Sequence, residues 1–155
     1  MPNHVENDLL IQGKIEDVQK VLDCIKTSES IFDFNTLIPY PSRYLEADKI
    51  KEGSGFNSGG YNWCVENWGT KWNAYEIQLE NLPTTKRIQK RVLVSFLTAW
   101  SPPEPVIEEL ALKFPLVDIK LSYYESGQAF QGKIVYKKGL LQTKVEKEYR
   151  GNRGG

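Results

Sequence analysis

The order of its hydrophobic periods is what most narrows the folds open to this chain. Stretches with a period of two, the mark of strands with one buried face, are interrupted twice by stretches of helical period. Residues 4–11 alternate, with Val5, Leu9 and Ile11 on one side and Glu6 and Asp8 on the other. Residues 15–26 repeat Ile15, Val18, Val21, Leu22 and Ile25 at helical spacing, with Glu16 and Asp17 early and Lys26 late, as the helix dipole favours. Residues 72–80 alternate again, which predicts Tyr75, Ile77 and Leu79 inward. Residues 91–100 are almost continuously apolar, the pattern of a central strand buried on both faces and the best protected of the sheet. Ser101-Pro102-Pro103-Glu104 predicts a helix start, with a capping serine, a proline at the first helical position and a glutamate three residues on. Val106, Ile107, Leu110, Ala111 and Phe114 form its buried stripe and Pro115 stops it. Residues 117–123, 130–136 and 140–149 read as three more strands, turned at Ser126-Gly127 and Lys138-Gly139.

Strand, helix, strand, strand, helix, strand is the order of a ferredoxin-like sandwich, an α+β fold with an antiparallel sheet and two main helices on one face. The last two strands extend it as a C-terminal hairpin. A chain of 155 residues, 40% hydrophobic, suits one domain that hides about 70% of its unfolded surface. That domain is assigned to residues 1–150, with residues 151–155 as a flexible tail. Residues 28–60 lose all regular period and read as an insert: the apolar excursion FDFNTLIPYPSRYL, then GSGFNSGG, a connector or lid. The latter lacks the Lys-Ser/Thr ending of a phosphate loop. A short helix over residues 62–67 follows, with Gly69 suited to a left-handed C-terminal cap.

Charge and rare residues exclude several functions. Lys+Arg and Asp+Glu both number 20, so no net field draws the chain to nucleic acid or an anionic membrane. Cys24 and Cys64 have no CxxC spacing, and no segment resembles a signal peptide or a spanning helix, which points to the cytoplasm. The single histidine, His4, removes most imidazole catalysis and zinc sites, and a Cys64/His4 nucleophile pair is outweighed by an inert buried thiol. Glu66, Glu76, Asp118 and Glu125 read as solvating strand acids rather than metal ligands, and no cofactor is expected.

Three of four tryptophans fall in the run YNWCVENWGTKWNA and the fourth in FLTAWSPPEP. Indole combines a large apolar surface with one N–H needing a partner, so such a cluster marks either a core corner or a cleft. As a cleft it takes Trp63, Asn67, Trp68, Thr70, Lys71, Trp72, Asn73 and Trp100, with Trp68 and Trp72 stacking on a flat ligand. As a corner, Trp68, Trp72 and Trp100 pack against the second main helix, the commoner use of aromatic clusters. Lys86, Arg87, Lys90 and Arg91 form one basic group and Lys133, Lys137, Lys138, Lys144, Lys147 and Arg150 another; converging on one sheet face with Tyr123, Tyr124, Phe130 or Tyr136 exposed beside them, they make a single-stranded nucleic-acid platform. A third reading is a small enzyme with Glu66, Glu76 or Glu125 as acid/base beside Lys71 or Tyr75. Exposed strand edges also admit a homodimer or a protein partner.

PNHVEN, NWGTKWNA, FLTAWSPPEP and YYESGQAFQG, in that order, resemble the YubB-like ferredoxin-like domain of plasmid and bacteriophage proteins. The resemblance implies the ferredoxin-like fold and a mobile-element or phage-related origin, and carries over no activity and no catalytic residue. The leading expectation is a non-catalytic interaction domain.

Overall fold

The computed structural model describes residues 3–45 and 60–148. The glycine-rich run up to residue 59 and the tail 151–155 lie outside the described residues. The elements are β1 (His4–Lys14), α1 (Ile15–Ile25), a 3-10 turn (Phe34–Thr36), α2 (Tyr61–Asn67), β2 (Tyr75–Leu82), β3 (Gln89–Ala99), α3 (Glu104–Lys113), β4 (Asp118–Glu125), β5 (Phe130–Lys137) and β6 (Leu140–Glu148). All strand pairs are antiparallel, in the order β2-β3-β1-β4-β5-β6. The first four strands, linked by α1 and α3, make the ferredoxin-like sandwich, and β5 and β6 widen it beyond β4.

Register explains where the core sits. Leu9 lies opposite Val94 and Leu121, and Ile11 opposite Val92 and Ile119, so one face of β3, β1 and β4 gathers fully buried aliphatics. Val18, Val21 and Ile25 of α1 and Val106, Ile107, Leu110 and Ala111 of α3 close over that face. The other face stays open. Accordingly β3 is not buried on both sides: Val92, Val94 and Phe96 point to the helices while Leu93, Ser95 and Leu97 are half-buried on the open face. Helices cover one face only, so a continuous apolar run does not imply two covers. The middle of the sheet belongs to β1, hydrogen-bonded to both β3 and β4.

Two local expectations also change. Ser101 does not cap α3; Pro103 occupies that position without a side-chain cap bond, and the Ser101 hydroxyl donates to the Gly69 carbonyl. Two consecutive prolines hold the entry extended, so the helix begins at Glu104, whose carboxylate pairs with Lys144 Nζ at 2.6 Å instead of turning back. In β2 a bulge falls between Tyr75 and Gln78, with Glu76 at φ 50°. Tyr75 and Gln78 therefore both face the open side, while Ile77 turns to the core.

The insert is part of the core. Phe32 and Phe34 are fully buried and edge-on to Phe96, at 5.1 and 6.3 Å between ring centroids. Asn73 clamps this segment, its Oδ1 accepting from Phe34 N at 3.0 Å and its Nδ2 donating to Asp33 Oδ1 at 2.9 Å.

Candidate functional site

The run Asn67–Ala74 and the run Thr98–Ser101 meet through backbone-directed bonds. Thr70 is buried, its hydroxyl donating to Ala99 O at 2.9 Å and accepting from Ala99 N at 3.2 Å. Gly69, at φ 77°, ends α2 as expected, its N–H bonded to Cys64 O at 3.1 Å. With Ser101 bonded to Gly69, this junction joins the end of β3, the entry to α3 and the exit of α2.

The tryptophans then separate. Trp68 is 3% exposed, donates Nε1–H to Ile38 O at 2.8 Å, and touches the rings of Phe34, Tyr40 and Trp63. Trp63 is half-buried against Tyr40, and Asn67 Nδ2 donates to Trp63 O at 2.9 Å. Trp63, Asn67, Trp68, Thr70 and Asn73 thus build the interior of the corner. The expected meeting of Trp68, Trp72 and Trp100 against α3 is replaced by this division, because the insert supplies the aromatic partners of Trp68.

The surface of the same junction is different. Trp100 is 46% exposed and holds φ 76°, a left-handed backbone that costs a non-glycine residue about 1–3 kcal/mol. Lys71 Nζ lies 3.8 Å from the Trp100 ring centroid and 5.6 Å from that of Tyr61, so its ammonium sits between two aromatic rings. Trp72 adjoins Tyr75 at 6.4 Å between centroids, and the Tyr75 hydroxyl meets His4 Nδ1 over β3 on the open face. Burial, then the charge of Glu76, pushes the Tyr75 phenol above its ordinary pKa, so it stays protonated. Tyr61 and His4 were missed as members of this surface, and Tyr75 was named beside Lys71 only in the enzyme reading. Lys71 between two tryptophans is the signal that points there; the β2 bulge that brings Tyr75 has none.

The basic and aromatic residues of the nucleic-acid reading converge only in part: Lys133 and Lys147 share the open face with Tyr124, and the group Lys86, Arg87, Lys90 and Arg91 does not join them. Lys86 and Arg87 are exposed in the β2–β3 turn; Lys90 faces the helices and reaches Gln19 Oε1 at 3.3 Å; Arg91, on the open face, donates to Gln12 Oε1 at 3.3 Å. Tyr124 is on the open face opposite Glu6, whereas Arg91 lies opposite Gln12. Six residues along a strand separate the two by about 20 Å. Phe130 and Tyr136 are on the helix face, Phe130 edge-on to Tyr123 and Tyr136 buried. Strand parity puts Phe130 and Tyr136 on the face opposite to that of Arg91 and Tyr124.

The carboxylates are equally dispersed. Glu66 is exposed on α2, Glu76 sits in the β2 bulge, and the buried Glu125 accepts the amides of Gly127 and Gln128 in the β4–β5 turn. Between β2 and β4 stand two strands, a span of about 14 Å. Cys64 is buried on the core side of α2, whereas His4 meets Tyr75 on the open face, and Cys24 and Cys64 are thiols, not a disulfide. Among the described residues, no group of three or more His, Cys, Asp or Glu could hold a metal ion, and no helix is long and apolar enough to cross a membrane.

Comparison with solved structures finds the crystal structure of a protein api92 from Yersinia pseudotuberculosis, with a TM-score of 0.54 and 18% identity. The match covers 77% of this chain and 40% of that one, and it shows the fold. Comparison with curated proteins finds no match. The family model described as the ferredoxin-like domain in Api92-like protein matches residues 67–153, which include the junction, β2 to β6 and α3. Over more than half its length this chain carries that domain, and it belongs to the Api92-like ferredoxin-like family.

Proposed function

We propose that the chain is a non-catalytic interaction domain that engages a protein partner through the surface of Tyr61, Lys71, Trp72 and Trp100. The observation that carries this reading is Trp100. A large indole kept half-exposed on a left-handed backbone serves folding poorly, since glycine fits that backbone without strain and surface burial recovers little. Exposed tryptophan beside a cation is instead the composition of binding hot spots. The mobile-element or phage-related setting rests on the resemblance of NWGTKWN and TAWSPPEP to the YubB-like domain, and the cytoplasmic setting on the two thiols.

Trp100→Ala is expected to change unfolding free energy by less than about 1 kcal/mol, because Thr70, Gly69 and Ser101 hold the junction without the indole. Affinity capture followed by mass spectrometry should then return a partner with the wild-type chain that is lost with Trp100→Ala. Identical capture by both chains would overturn the reading. Salt-sensitive binding of a labelled oligothymidine, abolished by the same substitution, would assign the surface to single-stranded nucleic acid instead.

A further inference from the structure

The open sheet face is divided by charge. Its β1–β3–β2 half carries Glu6, Asp8 and Glu80, and its β4–β5–β6 half carries Lys120, Lys133 and Lys147. These positions follow from register: Asp8 lies opposite Ser95 and Ser122, Ser122 opposite Lys133, and Lys120 opposite Leu10. Lys14, Arg91 and Asp118 run against the pattern at one end of the face, where Gln12 links the last two, accepting from Arg91 Nε and donating to Asp118 Oδ2 at 3.5 Å. Among these charges the face also carries Leu10, Leu93, Leu97, Tyr124 and Val135, all half-buried.

We infer that this face binds a second copy of the same chain, sheet against sheet, about a two-fold axis parallel to the strands along the β1–β4 boundary. That axis sets the acidic half of each copy on the basic half of the other, satisfying both contacts with one operation. A two-fold axis across the strands would oppose acid to acid, so the charge division selects the first arrangement. The same rotation carries Leu93 over the opposing copy's Val135, which lines a hollow of about 230 Å³ with Leu10, Lys120 and Lys137. Six strands of about eight residues present roughly 750 Å², close to the ~800 Å² per partner of a stable interface.

Sedimentation of the full chain from about 1 to 200 μM should show a monomer–dimer equilibrium that weakens by tenfold or more between about 0.05 and 0.5 M salt. Lys120→Glu with Lys133→Glu makes the face acidic throughout, and Glu6→Lys with Glu80→Lys makes it basic throughout. Each double variant should be monomeric alone with a wild-type circular dichroism spectrum, and the two mixed should form a heterodimer, an outcome that unfolding cannot imitate. A wild-type chain that stays monomeric over the whole range, a dimer indifferent to both double variants, or variants that fail to pair on mixing would overturn the inference. So would a monomer whose open face takes up oligothymidine.

Discussion

Replacing Trp68 by alanine is expected to lower the free energy of unfolding by about 3–5 kcal/mol, a large part of the ~5–15 kcal/mol that holds such a domain together. The indole is 3% exposed and lies 5.6 Å from the Phe34 ring, 5.8 Å from Tyr40 and 5.3 Å from Trp63. Its removal leaves a cavity where α2, the insert and β3 meet, and the loss of its N–H leaves the Ile38 carbonyl without that donor. The insert would loosen first, since its Phe34 and Tyr40 rings pack on Trp68. Urea denaturation followed by circular dichroism reads the change directly. A Trp68→Ala chain as stable as Trp100→Ala would show that the two indoles share one role, contrary to the division described above.

Gly69→Ala is expected to cost about 2–4 kcal/mol, from two separable sources. The backbone at φ 77° is strained for any residue with a Cβ, and that Cβ would lie 2.7 Å from Pro105 Cδ and 3.3 Å from Pro102 O. Proline rings and carbonyls cannot rotate aside as a flexible side chain would. Gly139 supplies the control, having φ 74° but nothing closer than 3.4 Å to its added Cβ. Gly139→Ala should therefore show the strain alone, about 1–2 kcal/mol. Equal losses at both positions in thermal melts would mean that the close approach of α2 to the α3 entry contributes nothing.

Periodicity made the strands and both main helices legible, because one helical layer on one sheet face imposes a period of two on every strand of the sandwich. Gly69 was legible for the same kind of reason: few residues tolerate the conformation a helix end requires there. Phe32 and Phe34 were not, since core side chains delivered by an irregular segment have no period to reveal them. The role of Ser101 was hidden by a stronger local rule, two prolines that delay the helix. At the candidate site, Lys71, Trp72 and Trp100 were named from composition, but their separation from Trp63 and Trp68 depends on Ile38, Tyr40 and Phe34, more than twenty residues away in sequence. Tyr75 was assigned to the wrong face because Glu76, which bears the bulge, is not a residue type that announces one.

The central place of β1 governs how the chain folds as it is made. Of the sheet strands it leaves the ribosome first, yet its two neighbours begin at Gln89 and Asp118. At ordinary translation speeds of ~5–20 residues per second, β1 waits roughly 5–20 s for its second neighbour. Assembly around such distant pairings is slow, on the order of milliseconds to seconds once the strands are present. Until then Val5, Leu9 and Ile11 lack one or both neighbouring strands, and this interval is when chaperones and proteases have their best access to the nascent polypeptide.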